Sequence, residues 1–408
     1  MSQGECHRLH IVRKAIDKEL TQVEAGEILD LSYRQIKRIV KRVREEGDTG
    51  IAHKLRGKKS NRAIAVQVKE KVLKLYKEKY PDFGPLLASE KITELDKINI
   101  KDDVLRNWLL KAGLWQLSRK QRKHRRWRER KHRLGTMLQG DGSHHDWFEG
   151  RGAKCVLMGW IDDATSRVYA RFYEYEGTLP AMDSFKRYIK KYGFPYSVYL
   201  DKHPTYKSTA KQTIEDELEN RKRLSQFERA VKELGVVLIH ANSPQAKGRI
   251  ERLFRTFQDR VIKEMRLKGV KNISEANTFL RYYLPVFNRR FGVKAIEEGD
   301  LHRAVSAEID LDRILCIKIP RSLRNDFTVA HDTKLYQVLD DITTKKVIVE
   351  DRVNGKRFIV YKDKDLKYKE ITQRPVKKSS KTTKVKRRRA YTPAKDHPWR
   401  QYKRKKVA

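Results

Sequence analysis

Cysteine is scarce and scattered. Cys6, Cys155 and Cys316 are the only three in 408 residues and none has CxxC spacing. That excludes a disulfide framework and a cysteine zinc finger, and fits a reducing compartment. The 12 histidines are equally scattered, so no zinc site is expected. Apolar runs are short: none approaches the ~20 residues of a spanning helix. No lipidation signal appears, and the opening MSQGECHRLH has no signal-peptide apolar region. Long internal repeats are missing too. The deficit that matters most is in acids, with 53 Asp and Glu against 94 Lys and Arg, a net charge of +41. A chain so basic repels itself without a polyanionic partner. Nucleic acid fits better than an anionic membrane surface, for which no anchor is present.

Hydrophobic residues make up 38% of the chain, enough for several cores, and 408 residues exceed what one core holds. Residues 8–46 read as three helices. Thr21 with Glu24 three positions on is a capping box. Ser32 is an N-cap for a segment with Ile36, Ile39 and Val40 on one face and Arg34, Gln35, Lys37, Arg38, Lys41 and Arg42 elsewhere. Helix, tight turn and basic helix make a helix-turn-helix whose last helix enters the major groove; an ordinary bundle with a solvated basic face is the plainer alternative. Residues 64–80, 86–95 and 101–112 read as a second such unit, with Arg106 a candidate DNA contact. The stretch 117–133 interleaves Lys120, Arg122, Lys123, Arg125 and Arg126 with Trp127, which suits phosphate contact with stacking; the alternative is a solvated linker.

Residues 134–292 carry the chemistry. Apolar runs end on Asp141 in MLQGD and on Asp201 in YSVYLD, and a third strand-like run, GVVLIH, precedes a helix carrying Glu251. An acid at the end of a hydrophobic strand is held rigidly yet stays open to a cation. Strands are expected at 153–161 and 167–176, with helices at 180–192 and 248–268. Three strands in a meander, a helix, then two more strands with helices is the ribonuclease H-like order, a mixed sheet covered on both sides. Asp146 reads as loop-ordering, and Asp162 and Asp163 as turn formers. His144, His145 and His240 are phosphate or leaving-group candidates, with hydrogen-bonded structural histidines as the commoner reading. Lys247, Arg249 and Arg252 flank Glu251 and either hold the cut strand or form a solvated face. Residues 293–325 read as a helical connector, 326–372 as short strands of a small β-barrel, and 373–408 as a basic tail.

These motifs resemble the DDE transposase and retroviral integrase superfamily, and within it the ISNCY-type insertion-sequence transposases. The resemblance runs through TQVEAGEILDLSYRQIKRI, MLQGDGSHHDWFEGRG, IDDATSRVYARF, YLDKHPTYKS and NSPQAKGRIERLFRTFQDR. It departs at Lys202-His203, where many relatives carry Asn-Gly, and in the wide spacing between Asp201 and Glu251, which the charged segment 207–234 explains. The resemblance implies that Asp141, Asp201 and Glu251 are the catalytic, metal-binding triad. It implies two Mg2+ (or Mn2+) ions per site, cleavage and strand transfer at terminal inverted repeats, and double-stranded DNA as partner. A homodimer or higher oligomer on the bacterial nucleoid follows, since an element has two ends.

Overall fold

The computed structural model describes residues 1–57, 64–117, 128–210, 214–218, 222–241, 247–374 and 392–401. The chain divides into two compact units, Met1–Lys120 and Gln121–Ala408.

The first unit is helical. Helices α2 (Gln22–Leu29) and α3 (Tyr33–Glu46) follow the expected boundaries, while α1 (Gln3–Ile16) starts before residue 8, capped by Ser2. The Thr21–Glu24 box forms: the Glu24 amide donates to Thr21 Oγ1 at 3.3 Å, and the Thr21 amide to Glu24 Oε2 at 2.7 Å. Asp30 takes a left-handed φ of 52° between α2 and α3, which reverses the chain in a short turn. Val12, Ala25, Ile36, Ile39 and Val40 form the core these helices share. A separate core serves α4 (Val66–Lys79), α5 (Pro85–Leu95) and α6 (Asp102–Lys111), built on Val72, Tyr76, Phe83, Leu87, Leu105 and Leu109. Pro85 opens α5, where a missing N–H costs nothing.

The second unit is built on a five-stranded sheet. Its strands are β1 (Met137–His145), β2 (Cys155–Asp162), β3 (Val168–Tyr173), β4 (Ser197–Leu200) and β5 (Val237–His240), in the order β3-β2-β1-β4-β5. The first three pair antiparallel; β4 and β5 run parallel to β1. This is the mixed order expected from the sequence. Helix α7 (Thr178–Tyr192) follows β3; a short α8 (Ile214–Leu218) and α9 (Gln226–Glu233) precede β5. Side chains from α7 and α9 pack with Leu138, Met158, Trp160 and Leu200 on one face. On the other face, α10 (Gly248–Leu267) and α11 (Ile273–Phe291) bury Leu157, Ile161, Phe254, Phe257 and Phe287.

Two expectations change. Asp141 does not end its strand: β1 continues four residues to His145, because residues 141–145 still pair with β2. Past Phe291 the chain leaves helical form. It returns to the core by isolated bridges, Leu134 with Asp300 and Phe194 with Arg303, before a single turn α12 (Leu311–Ile314).

The remaining strands are β6 (Cys316–Ser322), β7 (Thr328–His331), β8 (Lys334–Val338), β9 (Lys346–Arg352), β10 (Arg357–Tyr361), β11 (Lys364–Leu366) and β12 (Tyr368–Ile371). They form two antiparallel sheets, β11-β10-β9-β6 and β12-β8-β7, around Val329, Tyr336, Val349 and Ile359. Strand β6 falls inside the expected helical connector. Its Pro320 disguises it, and an edge position is where a strand tolerates proline. Residues 375–391 and 402–408 of the tail lie outside the described residues.

Candidate active site

The pairing of β1 with β4 brings the two aspartates together. Met137, Leu138 and Gln139 lie opposite Ser197, Val198 and Tyr199; continuing that register places Asp141 beside Asp201. Strand β4 stops at Leu200 while β1 runs on, so both acids stand where the sheet steps down. Asp201 is ordered by its own loop, its Oδ1 accepting the His203 amide at 3.0 Å. Asp141 Oδ1 accepts the Gly142 amide at 3.1 Å.

One ammonium joins them. Lys247, the residue before α10, is 5% exposed. Its Nζ lies 2.8 Å from Asp141 Oδ1 and 3.4 Å from Asp201 Oδ2. Burial pushes the Asp141 carboxyl above its ordinary range; Lys247 opposes that, while Asp201 and Glu176 add to it. The structure therefore gives Lys247 to the acids, although it was expected on DNA.

Glu251 lies in the first turn of α10, half-buried, one turn beyond Lys247. It makes no ion pair with a described residue. Among the described residues, no three His, Cys, Asp or Glu side chains stand together as a ready-made metal cage. The structure unites Asp141 and Asp201 through Lys247 and does not bring Glu251 into that contact.

Arg249 was expected to contact DNA; the structure buries it instead. It is 7% exposed and its Nη1 donates to Asp163 Oδ1 at 2.7 Å. Asp163, read as a turn former, is fully buried. It also accepts Gln139 Nε2 at 2.7 Å, the Lys131 amide at 2.9 Å, and Arg128. A carboxylate taken wholly from water must be paired, and here its partners tie the start of α10 to β1. Asp162 is the turn former expected, accepting the Thr165 amide and hydroxyl at 2.7 Å each. Arg252 is exposed, its Nε donating to the Gly248 carbonyl at 3.0 Å.

Glu176 is a residue the sequence reading missed. Its carboxyl packs so close to Gly142 that a Cβ there would come within 2.7 Å, and its Oε2 lies 2.7 Å from His144 Nε2. It ends the run RVYARFYEYE, so the rule that picked out Asp141 and Asp201 would have found it. Tyr206 was missed as well. It is wholly buried, and its hydroxyl, which feels the charges of Glu176, Asp141 and Asp201, has no hydrogen-bond partner among the described residues. His240 lies between the Asp201 carbonyl at 3.2 Å and Glu228 Oε1 at 3.1 Å, a structural histidine. His145 packs edge-on to Trp147, and Asp146 accepts the Gly150 amide at 3.2 Å in the loop it was expected to order.

In the first unit, α3 exposes Arg34, Gln35, Lys37, Arg38 and Lys41, with Arg42 half-buried, while Ile36, Ile39, Val40 and Val43 face the core. Arg106 is engaged by its own helix, 2.8 Å from Asp103 and 3.2 Å from Asp102. Lys120, Arg122, Lys123, Arg125, Arg126 and Trp127 lie outside the described residues.

Residues 7–59 match a family described as a helix-turn-helix domain. Over 351 residues, 85% of this chain and 76% of the relative, the sequence is 36% identical to Putative transposase y4bF of Sinorhizobium fredii (strain NBRC 101917 / NGR234). The chain belongs to the transposases. The transposase of insertion sequence IS1202 from Streptococcus pneumoniae is 26% identical over 439 residues, covering 96% of this chain and 92% of that one. Among solved structures, the HTLV-2 integrase catalytic core domain in complex with magnesium aligns with 36% of this transposase and 82% of its own chain (17% identity, TM-score 0.27). The simian T-cell lymphotropic virus intasome in complex with PP2A regulatory subunit B56 gamma aligns with 61% and 84% (14% identity, TM-score 0.35). No helix among the described residues of the transposase is long and apolar enough to cross a membrane.

Proposed function

We propose that the transposase cuts and joins DNA through Asp141, Asp201 and Glu251, a DDE triad that holds Mg2+ or Mn2+. The observation that carries this reading is the single cation shared by Asp141 and Asp201, 2.8 Å from one and 3.4 Å from the other. Two hard carboxylate oxygens converging on one positive charge are the donor set that such metals take. When bound, the metal supplies charge neutralisation at the phosphate under attack and lowers the pKa of the attacking hydroxyl.

The chain's own residues do the positioning. Asp163 and Arg249 seat α10 on the sheet, which sets where Glu251 stands. His203 orders Asp201 through its amide, and Gly142 leaves room for Glu176 beside Asp141. The exposed face of α3 reads the terminal repeats in the major groove, and the first two turns of that helix, with Arg34, Gln35, Lys37 and Arg38, meet base edges and phosphates. Arg106, whose surface ion pairs exchange at little cost, and Arg252 add phosphate contacts. The basic linker, the two C-terminal sheets and the basic tail extend the grip on DNA. Two element ends require a homodimer or higher assembly.

Glu251→Gln tests the triad, assayed by gel shift on end DNA and by strand transfer from a pre-nicked end. Cleavage and joining should vanish while end binding stays within about twofold of the wild type. Loss of binding would assign Glu251 to the fold instead. Cleavage without joining in the wild type would make the protein a nuclease.

A further inference from the structure

We infer that Lys247 is the site's resident cation, and that it and a divalent metal exclude each other between Asp141 and Asp201. The inference rests on the proposed metal-binding role of those acids and says what holds them before metal arrives. An ammonium only 5% exposed must be paired, and Lys247 has both carboxylates as partners. The two acids need it equally: two carboxylates side by side at a sheet step repel each other unless a cation lies between them.

Geometry makes the exchange one-for-one. Lys247 Nζ lies on both aspartates at once, and Glu251 follows it in the first turn of α10. The ammonium occupies the carboxylate oxygens on which a metal held by both acids would sit, so such a metal has to displace it. The Tyr206 hydroxyl, fully buried and exposed to the charges of Glu176, Asp141 and Asp201, has no partner among the described residues.

The experiment uses the full-length transposase without DNA. Mn2+ affinity is measured by calorimetry, and the reactivity of Lys247 towards an amine-acylating reagent by peptide mass spectrometry, with and without Mn2+. Lys247→Gln should bind Mn2+ about tenfold more tightly than the wild type, the worth of one charge-assisted contact. Lys202→Gln removes an equal charge from an exposed residue next to Asp201 and should change affinity less than about threefold, since exposed charges are screened. In the wild type, acylation of Lys247 should be slow in chelator and rise on adding Mn2+; in Asp141→Asn, Mn2+ should not change it. Lys247→Gln binding Mn2+ no more tightly than Lys202→Gln would overturn the inference, as would Mn2+ binding that leaves Lys247 unreactive. The acylation measurement stands even if Lys247→Gln does not fold. Mn2+ binding undiminished in Asp141→Asn and Asp201→Asn would instead overturn the metal-site reading itself.

Discussion

Arg249 Nη1 lies 2.7 Å from Asp163 Oδ1, and this buried contact ties the helix that carries Glu251 to the turn after β2. Arg249→Ala removes one of several partners of a fully buried carboxylate, which costs about 1–3 kcal/mol. The variant should melt several degrees below the wild type, and the salt dependence of its DNA binding should not change. A shallower salt slope at unchanged melting temperature would return Arg249 to the DNA.

Gly142→Ala puts a methyl group within 2.7 Å of the Glu176 carboxyl. The acid must give way, which disturbs its position beside Gly142 and His144. Strand transfer should fall at least tenfold with end binding retained, and Glu176→Gln should fall by a similar factor. Full activity in both variants would make Glu176 a bystander.

Arg38 and Gln35 are exposed on α3 and separate two kinds of contact. Arg38→Ala should weaken binding to any DNA and reduce the slope of log affinity against log salt by about 1. Gln35→Ala should cost about 1–3 kcal/mol on the terminal repeat and little on unrelated DNA. Competition gel shifts at several salt concentrations distinguish them.

Asp351 should dominate the acid limb of the C-terminal sheets. Burial works to raise its carboxyl, but hydrogen bonds from Arg357 at 2.6 Å and His331 at 3.0 Å outweigh it and leave it below the ordinary range. A carboxylate depressed in the folded state adds stability above its unfolded pKa, and that contribution disappears as pH falls through the folded value. Asp351→Asn should therefore lower the melting temperature at neutral pH and flatten its decline below about pH 4. An unchanged acid limb would mean that the pairing is energetically silent.

Strand order, the helix-turn-helix and the two aspartates were all legible in the sequence, because each depends on local pattern: alternation, capping residues, acids at the ends of apolar runs. Residues whose role depends on depth were not. Lys247 and Arg249 are charged, so composition places them at the surface, and only the packed sheet shows that one neutralises Asp141 and Asp201 while the other satisfies Asp163. Asp162 and Asp163 look alike in sequence, yet one closes a turn and the other gathers Arg128, Gln139 and Arg249. Strand β6 escaped notice because Pro320 breaks the pattern in a place where an edge strand permits it.

Strand β4 falls short of β1 by several residues, so Asp141 and Asp201 meet the solvent on a ledge and not on a level floor. A stiff double helix cannot press both of its backbones onto a ledge at once. Under the proposed reading, that step would let one phosphodiester chain reach the acids ahead of its complement, so the length of a β-strand would bear on which DNA strand is broken.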